Sequence, residues 1–139
     1  MDIQFVASVS PIVRDADMAR SFYAGALGLS FEGGEGDYVF TEKLAGVKHF
    51  GLWPLSEAAQ ACFGMDAWPS DVPVPQAGIE FEVADVGAAA AELEQSGYRM
   101  LHAARTEPWT QVTARFLSPE GLLVGVCYTP WFHDEDESK

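Results

Sequence analysis

One strand-then-helix pattern occurs twice in this chain, about seventy residues apart, and that repetition limits what the chain can fold into. The first copy runs Phe5-Val-Ala-Ser-Val-Ser-Pro-Ile-Val-Arg-Asp15 into a helix-like stretch that closes at Leu27-Gly28-Leu29. The second runs Gly78-Ile-Glu-Phe-Glu-Val-Ala-Asp85 into another that closes at Ser96-Gly97-Tyr98. Val13-x-Asp15 matches Val83-x-Asp85 at an offset of 70, and Gly28 matches Gly97 at 69. A duplicated unit lays two half-sheets around a shared cleft, where function is expected to sit.

Local chemistry supports each copy. Residues 5–13 and 78–83 carry the β-branched and aromatic residues of strands. Asp15 or Asp17, and Asp85, are placed to cap the helices that follow by accepting from a free backbone N–H. Met18, Phe22 and Ala26 form one apolar face of the first helix, and Ala88–Ala91 give the second a narrow face for close packing. Gly28 and Gly97 supply the left-handed residues that stop them. Strands are expected at 30–32, 37–41 and 47–53 in the first half, and at 98–103, 113–117 and 122–128 in the second. Gly33–Gly36 is expected as a turn in the first half and Ser118–Gly121 as the tight turn before the last strand. Each half then reads β-α-β-β-β. Module one covers about 3–54, a proline-rich connector with a short helix at 56–63 about 55–76, and module two about 77–130, all within one domain.

Charge narrows the partners. A formal net charge of −13 excludes the basic face that nucleic-acid binding needs. The acidic tail, 133–139, contributes part of it, and the body still carries about −10, a field that attracts cations. No apolar run is long enough to span a bilayer, and the first residues lack the basic start of a signal peptide, so a cytoplasmic protein is expected. Cys62 and Cys127 are read as two reduced core thiols.

In this order and spacing, Val13-x-Asp15, Ser21-Phe22-Tyr23, Leu27-Gly28-Leu29, Ile79-x-Phe81-x-Val83-x-Asp85-Val86 and Ser118-Pro-Glu-Gly121 resemble the vicinal oxygen chelate superfamily. That superfamily includes glyoxalase I, bleomycin-resistance proteins and extradiol dioxygenases. The resemblance covers about residues 5–130. It implies an α+β fold of two tandem βαβββ modules forming a half-open mixed barrel around a central cleft, commonly assembled as a homodimer.

Enzymes of the family hold a divalent metal on four cleft-facing ligands, two per module. Carried over by spacing, those positions fall on Ser8, His49, Gly78 and Gly125. Glycine has no ligating side chain, serine is a poor neutral ligand, and one histidine cannot hold a metal alone. The family's metal site is therefore expected to be lost. A rearranged set of His49, Glu80 and Glu82 is the remaining metal option.

Strand alternation extends this reading. With Gly78 facing the cleft, Glu80 and Glu82 face it too; Ser8 and Ser10 join them, as do His49, Gly51 and Trp53 in the inward register. Trp109 lies in a polar loop at one end, near Arg105, whose role and that of Arg115 stay open. The expected cleft is open at two glycines, acidic at two glutamates and partly aromatic. The ligand-binding set is thus Ser8, Ser10, His49, Trp53, Glu80, Glu82, Trp109 and Gly125, with no assignable catalytic residue. Each has a plainer alternative: a hydrogen-bonded structural histidine, solvated strand-end carboxylates, core or interface tryptophans.

The closest likeness in character is to the metal-free binders of the bleomycin-resistance type. The expected function is binding a small cationic or aromatic metabolite or antibiotic without chemistry. The alternatives are a lyase, isomerase or dioxygenase using an altered metal set, and a metal-free enzyme with Glu80 or Glu82 as general base.

Overall fold

The computed structural model describes residues 1–33 and 36–133; residues 134–139 of the acidic tail and residues 34–35 of the first expected turn lie outside the described residues. The chain forms one eight-stranded sheet in the order β2-β3-β4-β1-β5-β8-β7-β6. The strands are β1 (Phe5–Val13), β2 (Glu32–Gly33), β3 (Val39–Thr41), β4 (Phe50–Pro54), β5 (Ala77–Glu82), β6 (Met100–Thr106), β7 (Val112–Leu117) and β8 (Leu123–Tyr128). The two halves repeat one pairing scheme: β1 lies parallel to β4 and β5 parallel to β8, with antiparallel partners outside them. They join where β1 and β5 run antiparallel, Ser8 opposite Glu80 and Ser10 opposite Gly78. The sheet is open rather than closed, which is the half-open barrel of the expected α+β fold.

Among the described residues three α-helices accompany it: α1 (Ala16–Arg20), α2 (Leu55–Phe63) and α3 (Val86–Gln95). Asp15 and Asp85 cap α1 and α3, their Oδ1 atoms accepting from Met18 N and Ala88 N, each at 3.0 Å. In the second half the small residues do what their size suggests. Val86, Ala89 and Ala90 of α3 are buried against Val83, Ala114 and Val126 of the sheet. Ser118–Gly121 closes as a tight turn, with Gly121 at φ 95° and its N–H donating to Ser118 O at 2.9 Å.

The first half differs from expectation. After five residues α1 winds on as a π-helical segment, Ser21–Ala26, where hydrogen bonds span five residues instead of four, such as Leu27 N to Phe22 O at 3.0 Å. The wider turn breaks the i, i+4 register that placed Met18 and Phe22 on one packed face. Both side chains face solvent, 70% and 53% exposed, and Tyr23 meets the sheet instead, its ring 5.8 Å from Phe50. Among the described residues, no helix is long and apolar enough to cross a membrane.

Candidate functional site

The concave face of the sheet encloses a cleft of about 720 Å³, within the range of drug-sized ligand sites. Its floor is one row of the sheet: Ser8 on β1, Glu80 on β5, Gly125 on β8 and Arg115 on β7 are register partners across four adjacent strands. Ser8, Ser10, His49, Trp53, Glu80, Trp109 and Gly125 all line this cleft.

Glu80 is tied down in three directions. Ser8 Oγ donates to its Oε1 at 2.9 Å, Gln111 Nε2 approaches the same oxygen at 3.5 Å, and Arg115 Nη2 stands 3.7 Å from Oε2. Its side chain reaches Arg115 by crossing over Gly125. A Cβ built on that glycine would lie 3.2 Å from Glu80 Cγ and 3.5 Å from Oε2. The floor is therefore not open at Gly125, as alternation alone suggested; Glu80 fills the space. Gly78 lines the cleft too, and a Cβ there would stand 3.4 Å from Leu123 O and 3.8 Å from Ser10 O and the Trp53 ring.

Arg115 is 3% exposed and anchors a charge chain. Its Nη1 lies 3.4 Å from Glu107 Oε2, and Glu107 Oε1 in turn accepts from Arg105 Nε at 2.8 Å. Arg105 also donates to Ala61 O, bracing β6 against α2. The Arg115 guanidinium lies 5.4 Å from the centre of the Trp53 ring, within cation–π range. Nη1 also donates to His102 Nε2 at 3.1 Å, while His102 Nδ1 donates to Ala103 O at 2.8 Å. Burial lowers the His102 pKa, the backbone bond opposes this, and the Arg115 charge adds to the lowering. A neutral His102 is the form that accepts from Arg115. The two glutamates and two arginines of this chain balance, so Glu80 offers the cleft no spare charge.

Glu82 stands elsewhere, contrary to the expectation that it shares the cleft with Glu80. It is fully buried beneath the C-terminal 3₁₀ turn, Pro130–Phe132. Its carboxylate accepts from Thr129 N at 2.6 Å, Thr129 Oγ1 at 2.9 Å, His133 Nε2 at 2.7 Å and the Cys127 thiol at 3.4 Å. Alternation gave the correct face; the turn that folds over the end of β5 removes that position from the cleft. Glu82 is a structural carboxylate whose four donors compensate its burial.

The opposite wall carries residues that the sequence reading left unassigned. Tyr38, Phe40 and Glu42 alternate along β3 and its flanks, and with Glu57 of α2 they line the cleft. A period-two count along residues 37–42 was the available signal. His49 Nδ1 pairs with Glu42 Oε2 at 2.7 Å, and His49 Nε2 meets Tyr38 Oη at 2.5 Å. The Tyr38 and His49 rings are nearly coplanar, 9° apart, and Phe40 stacks against His49 at 5.0 Å. Tyr38 Oη occupies the space above Gly51, where a Cβ would clash with it. Burial raises the Tyr38 pKa, with the charges of Glu80 and Glu42 adding to the rise and a hydrogen bond from Ser10 opposing it. The phenol stays protonated. At the mouth, Trp109 is half exposed, and its Nε1 donates to Gln111 Oε1 at 2.9 Å. Trp131 and Phe132 complete that end.

These residues do not fit the four-ligand metal site that the resemblance implies. Both ring nitrogens of His49 are engaged, the Gly125 position is filled by Glu80, and Glu82 is turned into the protein. Among the described residues, no three of His, Cys, Asp or Glu converge as metal ligands. The alternative set of His49, Glu80 and Glu82 does not assemble.

Comparison with solved structures returns the same architecture. A glyoxalase/bleomycin resistance protein/dioxygenase superfamily member from Vibrio splendidus is 16% identical, over 92% of this chain and 100% of that one, with a TM-score of 0.59. A hypothetical protein from Bacillus halodurans is 18% identical over 89% and 93%, with a TM-score of 0.60. Methylmalonyl-CoA epimerase from Streptomyces coelicolor, in complex with 2-nitronate-propionyl-CoA, is 17% identical over 92% and 99%, with a TM-score of 0.54. At such identities the likeness is one of fold. Comparison with curated proteins finds no match. The family model described as Glyoxalase/Bleomycin resistance protein/Dioxygenase superfamily matches residues 6–126, nearly the whole of both halves, and the chain belongs to that superfamily.

Proposed function

We propose that this protein binds a small planar cation in its cleft, as a carrier or sequestering protein, without a metal as part of the site. One observation carries the reading: the imbalance of fixed charge around an aromatic cavity. Two carboxylates, Glu42 and Glu57, line one end of the cleft with no lysine or arginine among the lining residues there, while Glu80 shares the lining guanidinium of Arg115 with Glu107. What a ligand meets is thus negative charge at the Glu42–Glu57 end and aromatic surface from Tyr38, Phe40, Trp53 and Trp109. Stacking with cation–π contact suits a delocalised cation, and the cavity volume accommodates a fused-ring ligand. An anion would meet one lining guanidinium, Arg115, which is buried and already paired with Glu80 and Glu107.

This moves the acidic anchor from the glutamate pair expected on β5 to the far wall. The metal-dependent alternative loses support from the donor set described above. A panel titration tests the reading: planar cations, their neutral analogues and aromatic anions, each by calorimetry on the full chain. Binding of cations tighter than about 100 μM, weakened by Glu57→Gln, supports it. No cation binding at that level, or equal binding of anions, overturns it.

A further inference from the structure

We infer that the Tyr38 hydroxyl selects among cations, admitting those that carry an N–H and discriminating against fully alkylated ones, and that His49 and Glu42 position it for this. The inference rests on the cation-binding reading and adds a ligand class to it.

The argument is about where each proton must be. A carboxylate only accepts, so the short contact between Glu42 Oε2 and His49 Nδ1 places the imidazole proton on Nδ1. With that proton on Nδ1 and the ring neutral, Nε2 holds only a lone pair, and the hydroxyl 2.5 Å away donates to it. The single proton of Tyr38 is consumed inside the wall. Burial and the neighbouring carboxylates disfavour the phenolate, so the oxygen remains a polarised, neutral hydroxyl. Toward the cleft it offers lone pairs only. Tyr38 and Ser10 both line the cleft. The position is fixed from behind as well, because the phenol lies over Gly51 and any larger residue there would displace it.

A polarised acceptor of this kind distinguishes two cations of equal charge and shape. A protonated ring nitrogen or amidinium gives it a charge-assisted hydrogen bond. A quaternary nitrogen keeps the stacking and the charge attraction but gives the Tyr38 oxygen no charge-assisted hydrogen bond. His49 and Glu42 act through Tyr38, as positioning residues.

The test uses the full chain and two acridine cations: 9-aminoacridinium, which carries N–H donors, and N-methylacridinium, which carries none. The expected result is that the wild type prefers 9-aminoacridinium by about tenfold or more, the scale of a hydrogen bond to a charged group. Tyr38→Phe should reduce that preference to about twofold or less while N-methylacridinium still binds, its retained affinity reporting a folded cleft. If Tyr38→Phe does not fold, His49→Phe keeps the ring stacking, removes the acceptor that fixes the Tyr38 proton in the wall, and should weaken the same preference by about threefold or more. Equal binding of the two cations to the wild type, or a preference that survives the substitution, overturns the inference and leaves cation binding intact. Failure of both cations to bind the wild type removes both.

Discussion

Glu80 lies across Gly125: the glutamate chain passes over the glycine to reach Arg115, and a Cβ on the glycine would stand 3.2 Å from Glu80 Cγ. The glycine at a position where the resemblance implies a metal ligand is thus a seat for a neighbouring side chain. The same relation recurs between Tyr38 and Gly51 on the other wall. The absence of a side chain at these two glycines makes room for polar groups that define the cleft.

Gly125→Ala should therefore cost more than its size suggests. Forcing Glu80 off its path overpacks the floor and loosens the pair with Arg115. Destabilisation of about 1–3 kcal/mol is expected in urea unfolding. A change below about 0.5 kcal/mol would mean that Glu80 relaxes freely and does not depend on the glycine.

Arg115→Met should be among the most damaging single changes. It leaves Glu80 and Glu107 facing one another without the buried cation between them. The expected cost is about 3–5 kcal/mol. Adding Glu80→Gln to that variant should restore part of the loss, and a double-mutant cycle with no coupling would dismiss the pairing.

Stability should fall in alkaline solution for a reason visible in the core. Burial raises Cys62 from 9.0 to about 11, with the nearby guanidinium charges opposing the rise. Cys127 and Tyr38 shift in the same direction, burial again leading. A folded pKa above the unfolded one leaves the native state holding the proton after the unfolded state has lost it. The Cys62 contribution is therefore whole below pH 9 and is lost as pH rises toward 11. Urea midpoints measured across that window should decline, and Cys62→Ala should flatten the decline. At pH 8, Ellman's reagent should modify neither thiol until the chain unfolds, since both are buried.

How far the residues announce this structure depends on whether the deciding contact is local. Caps at Asp15 and Asp85 need only their own helices and are legible. The row Ser8–Glu80–Gly125 needs only alternation and the repeat, and it too is legible. Alternation fails at Glu82 because the covering turn lies 47 residues further along the chain, at Thr129. Alternation along the expected strand at 37–41 could have offered Tyr38, but its partnership with His49 and Gly51 depends on how β3 pairs with β4. Period alone misplaces Met18 and Phe22, since nothing in the spacing signals the switch to π-helical bonding at Ser21. Fold class is written in the periodic residues, while the character of the cleft comes from cross-strand contacts.

The central claim is that the cleft selects for positive charge on a flat ring system. Its most direct test is calorimetric titration of the full chain with proflavine cation and, separately, with anthracene-9-carboxylate, which has a similar ring footprint and the opposite charge. The account predicts one-site binding of the cation tighter than about 100 μM, weakening with added salt, and no measurable binding of the anion. Anion binding equal to or tighter than cation binding, or no binding of either, would contradict it.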